Sequence, residues 1–132
     1  MKPVNNEQTA KSFVELLEVL RRLRAPDGCP WDKDQTSESL IPYLLEETYE
    51  IIEAIETGNM NILKEELGDL CLHILFQAEL AREDGQFNIA DSLQHISTKL
   101  INRHPYVFDK NNNQSEDAIN EPWEITKQKE KK

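Results

Sequence analysis

No stretch of this chain alternates apolar and polar residues over the length of a strand, and no apolar run approaches the ~18 residues needed to span a bilayer. The first absence leaves helical periodicity as the dominant signal and places the chain in the all-α class; the second predicts no membrane association. There are two cysteines, Cys29 and Cys71, with no C-x-x-C spacing, so neither a zinc site nor a redox pair is expected and both read as reduced thiols of a cytoplasmic protein. The opening residues Met1 to Ala10 are polar and carry no signal-peptide pattern. Bases are scarce where acids are dense. The formal net charge is -10, and the stretch from Glu46 to Asp69 holds eight acids against one base, Lys64. That field repels phosphate backbones, which excludes nucleic-acid binding through a basic groove. A small phosphorylated ligand is compatible with it only if cations come too. No internal repeat is evident, and 132 residues suit one domain with a real core.

Four main helices and a tail are predicted. Residues 1–8 read as a flexible N-terminus, 9–108 as a helical domain, and 109–132 as a polar tail with a docking segment around Trp123. The first helix runs from about Thr9 to Arg24 with Phe13, Leu16, Leu17, Leu20 and Leu23 inward. Pro26, Gly28 and Pro30 end it. The segment GCPWDKDQT from Gly28 to Thr36 reads as a loop, followed by a short helical turn near Ser37 to Ile41. Pro42 suits the first position of a second helix that continues to Thr57 and stops at Gly58. Leu44, Ile51 and Ile55 define its apolar face, widened by Leu45, Tyr49 and Ile52. The third helix spans about Asn61 to Asp84 with Gly85 after its end, and Gly68 inside it suggests close approach of a backbone or ligand. A fourth runs from about Asn88 to Arg103 with Ile89, Leu93, Ile96 and Leu100 inward. Tyr106, Val107 and Phe108 follow Pro105.

The third helix carries the chemistry. Leu63, Leu67, Leu70, Cys71, Leu72, Ile74, Leu75, Phe76 and Ala78 surround almost its whole circumference, leaving a stripe of Glu66, Asp69, His73 and Gln77. A helix apolar nearly all round is expected to be buried, and a buried carboxylate must be paired, coordinated or neutralised. Glu66 and Asp69 repeat the spacing of Glu47 and Glu50 on the helix before. Two i,i+3 carboxylate pairs on antiparallel helices can converge on one point. That half-cage suits Mg²⁺, which takes about six oxygen ligands and shares waters and substrate phosphates. A di-iron bundle would need Glu-x-x-His pairs, and none occurs. The spacing also lacks an EF-hand loop. His73, one turn after Asp69, reads either as a support for a ligand or as a hydrogen-bonded core histidine.

EETYE at Glu46 to Glu50 followed by ELGD at Glu66 to Asp69 resembles the EExxE and ExxD signature of the MazG family of nucleoside triphosphate pyrophosphohydrolases. The flanking GCPWDKDQT, the RHP at Arg103 to Pro105 with Val107 and Phe108, and the late Trp123, Glu124 and Lys127 agree with it. The resemblance implies an all-α NTP pyrophosphatase fold and a homodimer or homotetramer. It also implies dependence on Mg²⁺, with Mn²⁺ as a substitute, and hydrolysis of an NTP or dNTP to the monophosphate and pyrophosphate. Glu47, Glu50, Glu66 and Asp69 match the family's metal ligands. Water activated by the metal would attack the α-phosphorus, with Glu46 to orient or deprotonate it. Lys99 and Arg103 then grip phosphate oxygens, unless they are solvated cations at a helix end. Trp31 stacks on a base or anchors the loop, and Trp123 closes over the nucleotide or pins the tail. The alternative function is a catalytically silent nucleotide- or metal-binding regulatory module of the same fold.

Overall fold

The computed structural model describes residues 5–109, and among them there is no strand. Six helices follow in order: α1 (Asn6–Leu23), α2 (Pro30–Asp34), α3 (Ile41–Thr57), α4 (Met60–Glu83), α5 (Ile89–Arg103) and α6 (Pro105–Phe108). They fall into two compact units, one ending at Asn88 and the other starting at Ile89. None of the described helices is long and apolar enough to cross a membrane. Trp123, with the polar tail, lies outside the described residues.

The helix ends are set locally. Asn5 caps α1, its side chain accepting from the Gln8 amide at 3.0 Å, so the helix begins three residues before the expected Thr9. Gly58 follows α3 at φ 73°; its amide bonds Ile55 O and the Asn59 amide bonds Ala54 O, both at 3.2 Å. This double closure needs a left-handed residue, which glycine supplies without strain. Gly85 ends α4 in the same way, with Gln86 bonded to Ala81. Asn59 then caps α4 through the Ile62 amide at 3.1 Å. The two-residue link Gly58–Asn59 therefore folds α3 and α4 into a tight antiparallel hairpin, the frame of the first unit.

The segment expected as loop contains a helix. Pro30 occupies the first position of α2, where its missing N–H costs nothing. Gly28 makes the preceding turn possible, because a Cβ there would stand 2.2 Å from Leu23 O.

The core is smaller than the apolar pattern predicts. Leu17, Leu20, Leu40, Ala54, Leu75, Phe76 and Ala78 are buried in the first unit. On α4, however, Leu67 is 51% and Ile74 47% exposed, and on α3 the residues Leu45, Tyr49, Ile52 and Ile55 face solvent. Leu93, Ile96 and Leu100 of α5 are exposed too. A helical wheel shows which faces are apolar, but within its own unit the α3–α4 hairpin has only α1 and α2 to lay against them. Gly68 meets nothing within 4 Å, so the expected close approach is absent.

The deepest charge is Glu79 on α4, 1% exposed. Arg21 of α1 grips both of its carboxylate oxygens, from Nε at 3.0 Å and from Nη2 at 3.1 Å, and Arg82 adds a third bond at 2.8 Å. One turn on, Arg24 pairs with Glu83 through two bonds of 2.7 Å while lying over the Phe76 ring. These pairs bolt α1 to α4. Burial alone would raise the Glu79 carboxyl, but the hydrogen bonds from Arg21 and Arg82 outweigh it and hold it below the usual range. Glu83 is likewise lowered, chiefly by Arg24. Removing one partner of a buried pair costs ~3–5 kcal/mol, and the Arg21 and Arg82 side chains remain 43% and 44% exposed, which screens the loss. Glu79→Ala is therefore expected to lower unfolding free energy by about 2 kcal/mol in a urea titration at neutral pH. The deficit should shrink in acid, because stability from a depressed carboxylate is lost as pH falls through its folded pKa.

Candidate active site

Tyr43, Glu47 and Glu50 recur at steps of four and three along α3, and Glu66, Asp69 and His73 at steps of three and four along α4. In an antiparallel hairpin these two stripes face each other as rungs: Tyr43 with His73, Glu47 with Asp69, Glu50 with Glu66. One carboxylate oxygen from each of Glu47, Glu66 and Asp69 lies within 4.8 Å of the others. Glu50 adjoins them, near enough to share a proton with Glu47 and with Glu66. The four acids expected from their spacing are thus brought together, three of them tightly.

Their surroundings differ from the expectation in one respect. Glu47 and Glu66 are half-buried and Asp69 is exposed, so this end of α4 does have a wet side in the single chain. Even so, Oε2 of Glu47 and Oε2 of Glu66 are buried with no hydrogen-bond donor. Burial, then the closeness of Glu50 and the charge of Asp69, raises Glu47. Glu50 is raised first by its contact with Glu66 and then by burial. For Glu66 the contact with Glu50 acts downward, but the contact with Glu47, burial and the charges of Glu47 and Asp69 together carry it up. Acceptors without donors, crowded among like charges, are what a divalent cation relieves, and an all-carboxylate set suits a hard ion.

The other expected residues are distributed unevenly. Glu46 is exposed on α3, outside the trio. A cleft of about 370 Å³ opens beside Glu50 and Glu66, walled further by Thr57 and Ile62. Trp31 on α2 is half exposed rather than a buried anchor, and it meets Tyr43 edge-on at 5.8 Å between centroids. Tyr43 lies parallel to His73, at 6.2 Å and 4°. Nδ1 of His73 is buried without a partner, so that nitrogen makes no hydrogen bond in the core. Sequence reasoning missed Tyr43 because the residue matters only through the rings it joins; its place one turn before Glu47 was the available signal. In the second unit, Lys99 is half-buried and Arg103 is 8% exposed at the last turn of α5, so the arginine is not a solvated cation. His104 Nδ1 lies 2.7 Å from the Leu100 carbonyl, where a ring N–H satisfies one of the last carbonyls of α5.

Carboxylates whose folded pKa is raised contribute stability below the ordinary carboxylate range and lose it as pH rises through the raised value. Without divalent cations, the melting temperature is expected to fall as pH rises above the ordinary carboxylate range. Glu79 and Glu83, lowered, are ionised throughout that window and add no slope. Glu66→Gln should flatten the fall, and millimolar Mg²⁺ should abolish it in the wild type alone. Scanning calorimetry with and without chelator reads both.

Comparison with known proteins agrees with this geometry. Residues 35–108 match the model of the MazG nucleotide pyrophosphohydrolase domain. The chain is 53% identical over 96 residues to a nucleoside triphosphate pyrophosphohydrolase/pyrophosphatase MazG of Thermotoga maritima, covering 73% of this chain and 38% of that protein. It is 43% identical over 117 residues to a nucleoside triphosphate pyrophosphohydrolase of Escherichia coli, covering 88% of this chain and 44% of that one. It therefore spans less than half the length of these curated relatives. Among solved structures, a mazG-related protein from Thermotoga maritima superposes with a TM-score of 0.67 at 30% identity, over 92% of this chain and 99% of that one. By domain match, identity and fold, this chain belongs to the MazG nucleotide pyrophosphohydrolase family.

Proposed function

We propose that the chain is a Mg²⁺-dependent nucleoside triphosphate pyrophosphohydrolase that converts an NTP or dNTP and water to the monophosphate and pyrophosphate by attack of water on the α-phosphorus. One observation carries the reading: acids from two helices of a MazG domain converge within 4.8 Å, and two of their buried oxygens have no donor. Glu47, Glu66 and Asp69, backed by Glu50, would hold Mg²⁺, or Mn²⁺ in its place. When bound, such an ion neutralises and polarises phosphate oxygens and lowers the pKa of water.

The remaining work falls to the chain itself. The hairpin fixes the acids on rigid helices, so a triphosphate is presented in one orientation and the entropy of alignment is met before reaction. Glu46, exposed next to Glu47, orients the attacking water or takes its proton. Lys99 and Arg103 grip phosphate oxygens and stabilise the charge that moves onto the leaving pyrophosphate. Trp31 stacks on the base. The enzyme works in the cytoplasm, where nucleotides and Mg²⁺ are abundant.

A homodimer or homotetramer belongs to the same reading. Ile41, Leu45, Tyr49, Ile52 and Ile55 form one exposed stripe along α3, and Met60, Leu67 and Ile74 another at heptad spacing along α4. Monomers rarely leave so much contiguous apolar surface in water. Sedimentation equilibrium is expected to give at least twice the chain mass, and Ile52→Asp to reduce it.

The activity is tested with a panel of NTPs and dNTPs assayed for pyrophosphate, with and without Mg²⁺. Wild type should release pyrophosphate only with the ion, and Glu66→Gln or Asp69→Asn should lower kcat by at least about 100-fold, as loss of transition-state charge stabilisation does. Nucleotide binding without release across the panel would establish the silent regulatory module instead. Equal turnover in wild type and variants would show that other groups hold the ion.

A further inference from the structure

The motif GCPWDKDQT builds more than a connection. Gly28 admits a turn in which its amide bonds Ala25 O and the Cys29 amide bonds Leu23 O, each at 2.8 Å. Lys33 Nζ reaches back to Pro26 O at 2.8 Å, and Arg24, pinned to Glu83, also donates to Asp32 O. Held from both sides, α2 presents Trp31 against Tyr43, and Tyr43 lies parallel to His73. The result is a file of three rings from three helices. It continues the acid rungs without a gap: Tyr43 precedes Glu47, and His73 follows Asp69, by one helical turn, about 6 Å along each axis.

Two features of this file ask for a ligand. Trp31 and Tyr43 are 48% and 40% exposed although packing fixes them, so flat apolar surface is held open to water beside the acids. His73 Nδ1 is buried without a donor or acceptor, which costs more than a made hydrogen bond returns. A planar heterocycle with polar edges answers both. The cleft on the opposite side of the acids suits a base less well, because Glu50, Glu53 and Glu66 line it and it offers no ring.

We propose that the Trp31–Tyr43–His73 file is the base-reading subsite of the enzyme, and that it favours purine over pyrimidine nucleoside triphosphates. The inference rests on the pyrophosphohydrolase reading and adds the substrate class. Stacking on an aromatic side chain contributes ~1–3 kcal/mol per base and grows with the area of the ring system, so the two fused rings of a purine gain most from a file of this length. A turn of the His73 ring about its Cβ–Cγ bond would bring the buried Nδ1 to the base edge or the sugar, where it adds one hydrogen bond as donor or acceptor according to its tautomer.

The test compares ATP, GTP, CTP, UTP and ribose 5-triphosphate, which has no base, as substrates of the full chain with Mg²⁺. The wild type is expected to favour ATP and GTP by roughly tenfold in kcat/KM. Tyr43→Leu and Trp31→Leu should each raise KM for the purine substrates by about 5- to 100-fold, with kcat unchanged and turnover of ribose 5-triphosphate untouched. Tyr43→Phe should restore the wild-type preference. His73→Phe, which keeps a ring and removes the nitrogens, should raise purine KM severalfold and spare the base-free substrate. Equal losses on the base-free and the base-bearing substrates would mean that the rings only support the fold, and would overturn the proposal. So would variants with no effect, or a preference that moves with Thr57→Val in the opposite cleft instead. If the wild type releases no pyrophosphate from any substrate, the proposed activity fails on its own. The subsite is then read by equilibrium binding: weaker binding of Mg-ATP, but not of Mg-tripolyphosphate, to Tyr43→Leu supports it, and unchanged binding of both overturns it.

Discussion

Like-charge crowding at one seam is the constraint on which the rest of the molecule depends. Glu47, Glu50, Glu66 and Asp69 face one another across α3 and α4, with two buried oxygens that no donor reaches. A seam of this kind opposes the folding of the hairpin that contains it. The hairpin persists because its ends are closed elsewhere, by the left-handed Gly58 and the Asn59 cap at one end and by the hydrogen-bonded Ser37 and Gln77 at the other. The repulsion is thereby stored at one place, where a cation can release it. Relief of that crowding would contribute to the binding of a cation there.

The chain keeps its opposed charges apart from that seam. Glu79 and Glu83, near the far end of α4, are fully matched by Arg21, Arg24 and Arg82, whereas Lys64 is the one base between Glu46 and Asp69. One helix thus carries two electrostatic regimes. At one end ion pairs fasten α1 and lower carboxyl pKa values; at the other, unmatched acids raise them. Arginines placed near the seam would have satisfied the acids and removed the reason to bind a metal. Segregation of charge along α4 is what allows a stable scaffold and an unsatisfied site to share a helix.

What could be read from the sequence divides along the same physical line. Features decided by a few adjacent residues were legible: Gly58 and Gly85 end their helices as expected, Pro42 lies one residue inside the start of α3, and the i,i+3 acid pairs act within one turn of chain. The short α2 was not, because five residues opening on proline look like a loop until the Gly28 turn and the Arg24 contact are known. Glu79 escaped for a related reason. On a wheel it is one more acid, and the bidentate grip of Arg21, far away in sequence, with Arg82 one turn on, makes its burial tolerable. The apolar stripe of α3 and the nearly all-round apolar surface of α4 were legible, but periodicity says that a face is apolar and not what covers it. Leu67, Ile74 and the α3 stripe therefore stood as expected core and proved exposed in the single chain.

The exposed stripes and the acid seam bear on each other through α3. Glu47 and Glu50 occupy one face of that helix, and Leu45, Tyr49 and Ile52 the adjacent one. Rotating α3 to bury the apolar stripe inside the hairpin would swing both glutamates away from Glu66 and Asp69. The two helices cannot bury the apolar stripe and converge the acids at once, because only one side of α3 can face α4. Covering the stripe with a second copy resolves the conflict without moving the acids. On the proposed reading, assembly and metal binding would be two consequences of one rotational setting of α3, and a substitution that changes that setting should disturb both together.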